Sequence, residues 1–517
     1  MRSRRGAITG LIGCLLAVAV VAAAPVTVEA AGGMGHGPTF HAAVELLQRS
    51  VEPARDGRHH DMLRALRHLR DPALVPLFEA LAEHEDPLIK THGILGLAEC
   101  SPRHPIDTDR VLAINRIDLQ VELLSAAMEN RLMGNEQARQ MLADPRVDLA
   151  VKVMLAGYLI RDGQLTDTSF LRDATEQSHL PRAAIAATML KQLQDPTAAE
   201  RLARIEDRVS PRGRDMLRQL ALRTAYRFEF HRTAPWAKGL ATSPEADRQT
   251  RSAALEVALR FGAEGADQLW LRRFDDADST ASRMRLGLIA LRVAPWGPQP
   301  IYELLGHRPE LLLAHIGQVG QAMRDREHIA SAVIALARLQ HPIANIWVLK
   351  YAGELAAESD AVEILESVIL LLGEDAAEGR GQSDAQRLDH AATASRLLIE
   401  RAPDHAIDRL RALLHTHRRD HQIVHAILAG LVRSHHPRAH QVVVGLHPVG
   451  VVASDDLRLL LLARGGQPLG PQEMAELAVL IRGGGSEQLT LRLQAAWAWL
   501  KRTHNVEPAM REVLAAR

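Results

Sequence analysis

The sequence predicts an all-α chain of stacked antiparallel helical hairpins, an α-solenoid. Three observations point to it. Apolar residues recur at helical spacing, as in Met62, Leu63, Leu66 and Leu69 on one face of one segment. Segments that mix Ala and Gly with Leu and Ile begin at Thr91, Gln120, Val151, Arg182, Arg214, Arg251 and Arg283, at gaps of 29 to 37 residues. A gap of that size is one helical hairpin, which cannot bury its apolar face alone but can do so in a stack. Aromatic residues are only 3% of the chain, which argues against all-β architecture and against platforms for stacking bases or sugars.

In chain order, residues 1–30 read as an export signal. Arg2, Arg4 and Arg5 precede an uncharged run from Gly6 to Ala24, and Val28 and Ala30 place small residues before a cut at Ala31. An uncleaved anchor is one alternative, because the run is nearly long enough to span a bilayer. The other is a lipid anchor. Leu11-Ile12-Gly13-Cys14 resembles the lipobox of bacterial lipoproteins, although apolar residues follow Cys14 where those proteins carry a polar tether. No later apolar stretch is long enough for a membrane span, so none is expected once the signal is removed. Residues 31–39 read as a Gly-rich tether.

Helical repeats are expected over 40–372. Asp71-Pro72, Asp86-Pro87, Asp144-Pro145 and Asp195-Pro196 each offer an N-cap followed by an N1 proline, so each marks an expected helix start. Leu95, Leu155 and Leu288 are expected on buried faces of inner helices. In a simple stack each repeat touches only its neighbours, so contacts should fall mostly within about 70 residues. Residues 373–386 read as a polar linker, and 387–517 as further helical repeats. Later inner segments begin at Ile329, His421 and Leu491. The stretch from Gln441 (QVVVGLHPVGVV) is the one β-like patch and reads as an irregular connector.

The run Asp86-Pro87-Leu88-Ile89-Lys90-Thr91-His92-Gly93-Ile94-Leu95-Gly96-Leu97 resembles the second helix of the HEAT repeat, and Asp144-Pro145-Arg146-Val147 with Ala156-Gly157 resembles it again. The period is nearer the short bacterial HEAT-like type. The resemblance is closest over 60–200 and only architectural beyond 345. It implies an α-solenoid that serves as a binding scaffold, and it carries no catalytic residues.

Composition excludes several classes. At 517 residues the chain exceeds one ordinary core, and 47% hydrophobic with 24% charged residues excludes wholesale disorder. Lys+Arg and Asp+Glu are 62 each, so nothing global draws the chain to nucleic acid. Two cysteines exclude a disulfide scaffold and a Cys-based zinc site. Export would leave Cys100 as the one thiol, either a small buried hydrophobe or the link of a disulfide dimer. Lysine supplies only six of the basic residues and arginine the other 56.

No phosphate-binding loop, nucleophile elbow or metalloprotease helix occurs in the sequence. Asp275-Asp276 and Asp455-Asp456 are expected in turns rather than as acid/base pairs. Nine of the 25 histidines lie between His405 and His447. His421 and His425, and His436 and His440, are spaced to share a helix face, which makes them the weak candidates for a metal. Neighbouring arginines oppose a cation, so a solvated basic ridge is the plainer reading, strengthened by acid as histidines protonate. Pro437 places a helix boundary near His436. Met34-Gly35-His36 would chelate copper only if cleavage exposed Met34. No cofactor is expected.

The leading expectation is an exported, periplasmic or extracellular, non-catalytic scaffold that binds another protein along the concave face. The alternatives are an enzyme-associated subunit or lyase, since some short HEAT-like proteins attach bilin pigments inside cells, and a metal-handling protein using 405–447.

Overall fold

The computed structural model describes residues 37–279, five positions between 282 and 293, and 329–516 apart from 339, 341, 355, 374–382 and 484–487; positions 101–103 and 166 are likewise not described. The signal at 1–30 with Cys14, the Met34-Gly35-His36 sequence, Leu288 and most of the linker lie outside the described residues.

The described chain is all-α, with no strand. The first half comprises α1 (Pro38–Val51), α2 (Arg58–Arg67), α3 (Val75–Ala82), α4 (Pro87–Glu99), α5 (Thr108–Leu112), α6 (Ile117–Glu129), α7 (Asn135–Ala143), α8 (Leu149–Arg161), α9 (Ser169–Thr175), α10 (Leu180–Gln192), α11 (Ala198–Glu206), α12 (Pro211–Arg227), α13 (Ala234–Thr242), α14 (Arg248–Arg260) and α15 (Ala266–Asp275). The second half comprises α16 (Ile329–Ala337), α17 (Pro342–Glu354), α18 (Glu358–Leu370), α19 (Asp384–Arg401), α20 (Pro403–Thr416), α21 (His421–Ser434), α22 (Val452–Arg464), α23 (Pro471–Arg482), α24 (Leu489–Arg502) and α25 (Val506–Ala515).

Every described inner segment falls on a helix, and these helices touch in sequence order: α4 on α6, α6 on α8, then α10, α12 and α14. Each is sandwiched. α8 buries Val151 and everything from Val153 to Ile160, as a helix apolar around its circumference must. The flanking α11 buries only the stripe Ala198, Leu202 and Ile205. Leu95 and Leu155 are buried as expected. Two glycines permit close approaches of helix backbones. A Cβ at Gly93 would sit 2.3 Å from the backbone nitrogen of Ala82, and one at Gly430 would sit 2.2 Å from the carbonyl oxygen of Ala392. These contacts bring α3 to α4 and α19 to α21.

Caps follow the sequence in part. Asp86 accepts from the backbone N–H groups of Leu88 (2.8 Å) and Ile89 (3.1 Å) and starts α4. Asp71 caps a 3-10 turn over Pro72–Leu74 that leads into α3. Asp144-Pro145 starts no helix. Asp144 ends α7, the following residues turn, and Asp148 caps α8. A proline at 145 lies too early for an N1 position, because the chain must first reverse. Asp195 likewise organises a turn before α11, accepting from Thr197 N–H at 2.8 Å. α1 begins at Pro38, inside the expected tether. The last three residues of the expected linker belong to α19, where Ser383 and Gln386 form a capping box. The β-like patch is a 3-10 turn over Ala439–Val442 and then irregular chain, with Val442 and Val443 buried.

Most contacts fall between sequence neighbours, as expected, but one set goes further: the two ends of the described chain pack together. α1 lies on α23, α24 and α25, α2 on α24, and α3 on α25. The two ends of the described chain bury apolar faces against each other. Apolar packing is continuous across the junction: Phe40, Leu47, Leu493 and Leu500 belong to one core. Asp71 fixes the register. Its Oδ2 accepts from Trp497 Nε1 (3.0 Å) and Lys501 Nζ (2.7 Å), some 430 residues away.

Candidate functional site: a basic cleft between the chain ends

The clamp at Asp71 forms one wall of a cleft of about 910 Å³, lined by the end of α2, α19, the end of α21 and the C-terminal turns of α22 and α24. Helix ends build it. Beyond α2, Arg70 takes a left-handed backbone (φ 51°), and beyond α21 so does His435 (φ 51°). That conformation turns the chain sharply after a helix. The two turns face each other, with the His68 and His435 rings 5.3 Å apart. Six permanent cations line the cleft, Arg70, Arg396, Arg433, Arg464, Lys501 and Arg502, against the carboxylates of Asp71 and Glu400.

Arg464 ends α22. Its Nη1 donates to the carbonyl of Val432 (2.8 Å) and its Nη2 to Gln494 Oε1 (2.6 Å), with no carboxylate partner among the described residues. Arg502 ends α24 and donates to the carbonyl of Ala463 at 3.2 Å. Desolvation pushes the Arg464 guanidinium down to about 10, so it stays charged at neutral pH. Desolvation, with Arg464, His68 and Arg70, pushes His435 well below the ordinary histidine range. Desolvation also lowers His68. Burial alone would raise Asp71, but hydrogen bonds from Lys501, Trp497 and the Ala73 N–H outweigh it and hold the carboxyl low.

These contacts belong to a wider pattern that gives the arginine excess a structural use. Arg273 donates to Ala241 O, Arg401 to Gly353 O and Ala356 O, and Arg411 to Gln441 O. Arg201 and Arg208 reach carbonyls of Arg172 (3.2 Å) and Gln177 (3.3 Å). In each case an arginine of one hairpin satisfies a carbonyl at or near a helix end of another. Carbonyls in the last turn of a helix have no backbone N–H partner within it, and a cation suits the negative end of the helix dipole.

The four histidines considered for metal separate into two places. His421 opens α21 behind its cap Asp420 and is exposed, and His425 is half-buried one turn on. Desolvation and Arg433 lower His425. His436 and His440 lie beyond the other end of α21, which stops at Ser434 as Pro437 predicts. From His425 to the end of α21 at Ser434 the helix runs roughly 14 Å at 1.5 Å per residue, which keeps the two pairs apart. His436 and His440 line the cleft with His68 and His435. His440 is held in place: its Nδ1 lies 2.9 Å from Pro437 O, and a Cβ at Gly465 would meet its ring at 2.0 Å. Among the described residues no group of three or more His, Cys, Asp or Glu is arranged to hold a metal ion.

Asp275 and Asp276 close α15 as expected. Asp455 and Asp456 instead lie in the first turns of α22, where Asp455 accepts from Val449 N–H at 2.9 Å. Burial and the Asp455 charge push Asp456 up to about 6. Cys100 is 1% exposed, and burial with the nearby Asp71 and Glu99 carboxylates pushes its thiol up to about 11. In this fold it is the buried hydrophobe, out of reach of a second chain. Sequence reasoning missed His68, Arg70, Arg464 and Arg502, because no local spacing reports that the chain ends meet. No helix of the described residues is long and apolar enough to cross a membrane. No protein-family model, curated protein or solved structure matches the chain.

Proposed function

We propose that the chain is an exported, non-catalytic α-solenoid of HEAT-like repeats that binds a partner protein along its concave face. The observation that supports it is the unbroken layer α4, α6, α8, α10, α12 and α14, in which consecutive inner helices lie side by side. A layer of this kind offers one long, stiff surface, and such surfaces are what stacked repeats use for binding. Two inner helices also carry large exposed apolar side chains, Ile117 on α6 (44%) and Met216 on α12 (65%). Such residues gain most from being covered. Export rests on the composition of residues 1–30.

Two measurements test this reading. Residues 31–517 immobilised as bait should retain a defined protein from a periplasmic extract, and Met216→Glu should release it. Retention that is indifferent to Met216→Glu, Ile117→Glu and the pair would remove the inner layer from consideration. A reporter active only outside the cytoplasm should work when fused after residue 40, and an inactive fusion would remove export.

A further inference from the structure

The cleft carries more positive charge than its own carboxylates answer. Arg396, Arg433 and Lys501 are engaged by Glu400 (3.0 Å), Asp389 (2.6 Å) and Asp71 (2.7 Å). Arg70, Arg464 and Arg502 have no carboxylate partner among the described residues. Arg70 is exposed, and its guanidinium makes no ion pair or hydrogen bond there. Arg464 uses two of its N–H groups on Val432 and Gln494, and its buried Nε has no acceptor. Arg502 uses one. A guanidinium has five donors in a planar fork that matches two oxygens of a phosphate or carboxylate. Three such groups with unused donors therefore line one hollow. Its volume lies in the range of small-ligand sites, and Leu69, Leu431 and Leu461 give it an apolar part.

Stapling helix ends accounts for Arg464 and Arg502 in part. It leaves Arg70 unexplained, because Arg70 satisfies no carbonyl with its side chain. It also leaves unexplained why uncompensated cations from three separate helix ends share a single cleft, where they repel one another.

We propose that this cleft binds a small multivalent oxyanion, gripped through its phosphate or carboxylate groups by Arg70, Arg464 and Arg502. The anion would neutralise the three cations and tie the two chain ends together. This proposal does not rest on the partner-binding reading above.

The test is titration calorimetry of residues 31–517 with inorganic pyrophosphate and, separately, citrate. One site per chain is expected. Arg70→Gly is the informative variant, since glycine suits the left-handed backbone at this position while removing the charge. It should weaken binding about tenfold, the scale of one lost charge-assisted contact, while the melting temperature stays level or rises. Arg502→Gln should weaken binding similarly, and Arg116→Gln, whose residue pairs with Asp118 on the surface, should not. Tighter pyrophosphate binding assigns phosphate as the recognised group, and tighter citrate binding assigns carboxylate. No heat from either probe at millimolar concentration would overturn the proposal. So would binding that Arg70→Gly leaves unchanged, or that Arg116→Gln weakens equally.

Discussion

Neighbouring inner helices and the two chain ends are joined in different ways. Between α4, α6 and α8 the joint is mainly apolar, made from contiguous buried side chains, with Tyr158 of α8 donating to Glu129 of α6 (2.7 Å) as a polar addition. Between α1–α2 and α24 an apolar layer is also present, but a buried carboxylate, an indole N–H and an ammonium group add direction. Apolar packing is tolerant of register, and a hydrogen-bonded carboxylate is not. The array can therefore rely on repetition, whereas the closing contact occurs once and has to be specified by particular residues.

The largest expected effect tests the array. Leu155 is completely buried within α8, and Leu155→Ala should cost about 2–5 kcal/mol. Hydrogen exchange should quicken first in α6, α8 and α10, with α19 and α21 slower to respond. Uniform quickening through both halves would mean that the closing contact makes the whole molecule one cooperative unit.

Acid separates the two joints further. His92, between α2 and α4, is 8% exposed and lies 3.3 Å from Arg67 Nη1, which can only donate to it. Burial first, then Arg67 and neighbouring histidines, push its pKa from 6.5 to about 3. The unfolded chain takes up this proton near pH 6.5 and the folded chain only near 3, so stability is full above 6.5 and falls across that interval. Each unit between the two values is worth about 1.4 kcal/mol. Denaturant melts from pH 7 to 4 should show this loss, and His92→Gln should reduce its slope, leaving the share that His435 contributes. An equal slope in the variant would assign the acid sensitivity elsewhere.

The Asp71 clamp itself should survive that interval, although His435 beside it, pushed down to about 3, adds a loss of its own over the same range. The Asp71 carboxyl is held below its ordinary 3.8, so its contribution is present above that value and is lost only as pH falls through the lower folded one. At neutral pH Asp71→Asn should cost about 1–2 kcal/mol, because Lys501 is 54% exposed and its share is screened. Exchange should rise in α1 and α24 while α8 keeps its protection. Loss of protection in α8 would show that closure supports the array as well.

The array was legible in the sequence because its cause is local. An Ala- and Gly-rich apolar segment every hairpin length leaves few arrangements other than a stack. Asp86 was legible as a cap for the same reason. Asp144 misled, because an Asp-Pro pair reports a favourable start and not whether the chain has yet turned. The closing contact and the cleft were not legible. Asp71 also reads as an ordinary cap, and it does accept from Ala73 N–H at 3.0 Å. Nothing within its neighbourhood announces Trp497 or Lys501. The arginine excess was visible, but its use on carbonyls elsewhere in the fold depends on distances that only the fold supplies.

The smallest expected effect concerns the segment richest in histidine. His421 is exposed at the start of α21, where the backbone is capped by Asp420 and not by its own side chain. Removing it should change stability by no more than about 0.5 kcal/mol. His425 is half-buried, and removing it should cost slightly more through lost packing. The ridge around them is also less basic than its composition suggests. Arg401 is spent on carbonyls, Arg433 on Asp389 and Arg438 on Asp404. His425 and His436 are lowered, chiefly by burial, so they add charge only in stronger acid than free histidine would. The double variant His421→Ala with His425→Ala should therefore match the parent in melting temperature and in metal content after dialysis. His440 belongs in a separate variant, because its ring fills the space beside Gly465. Stoichiometric zinc or copper retained by the parent and lost in the double variant would instead make these two histidines metal ligands, completed by a second chain.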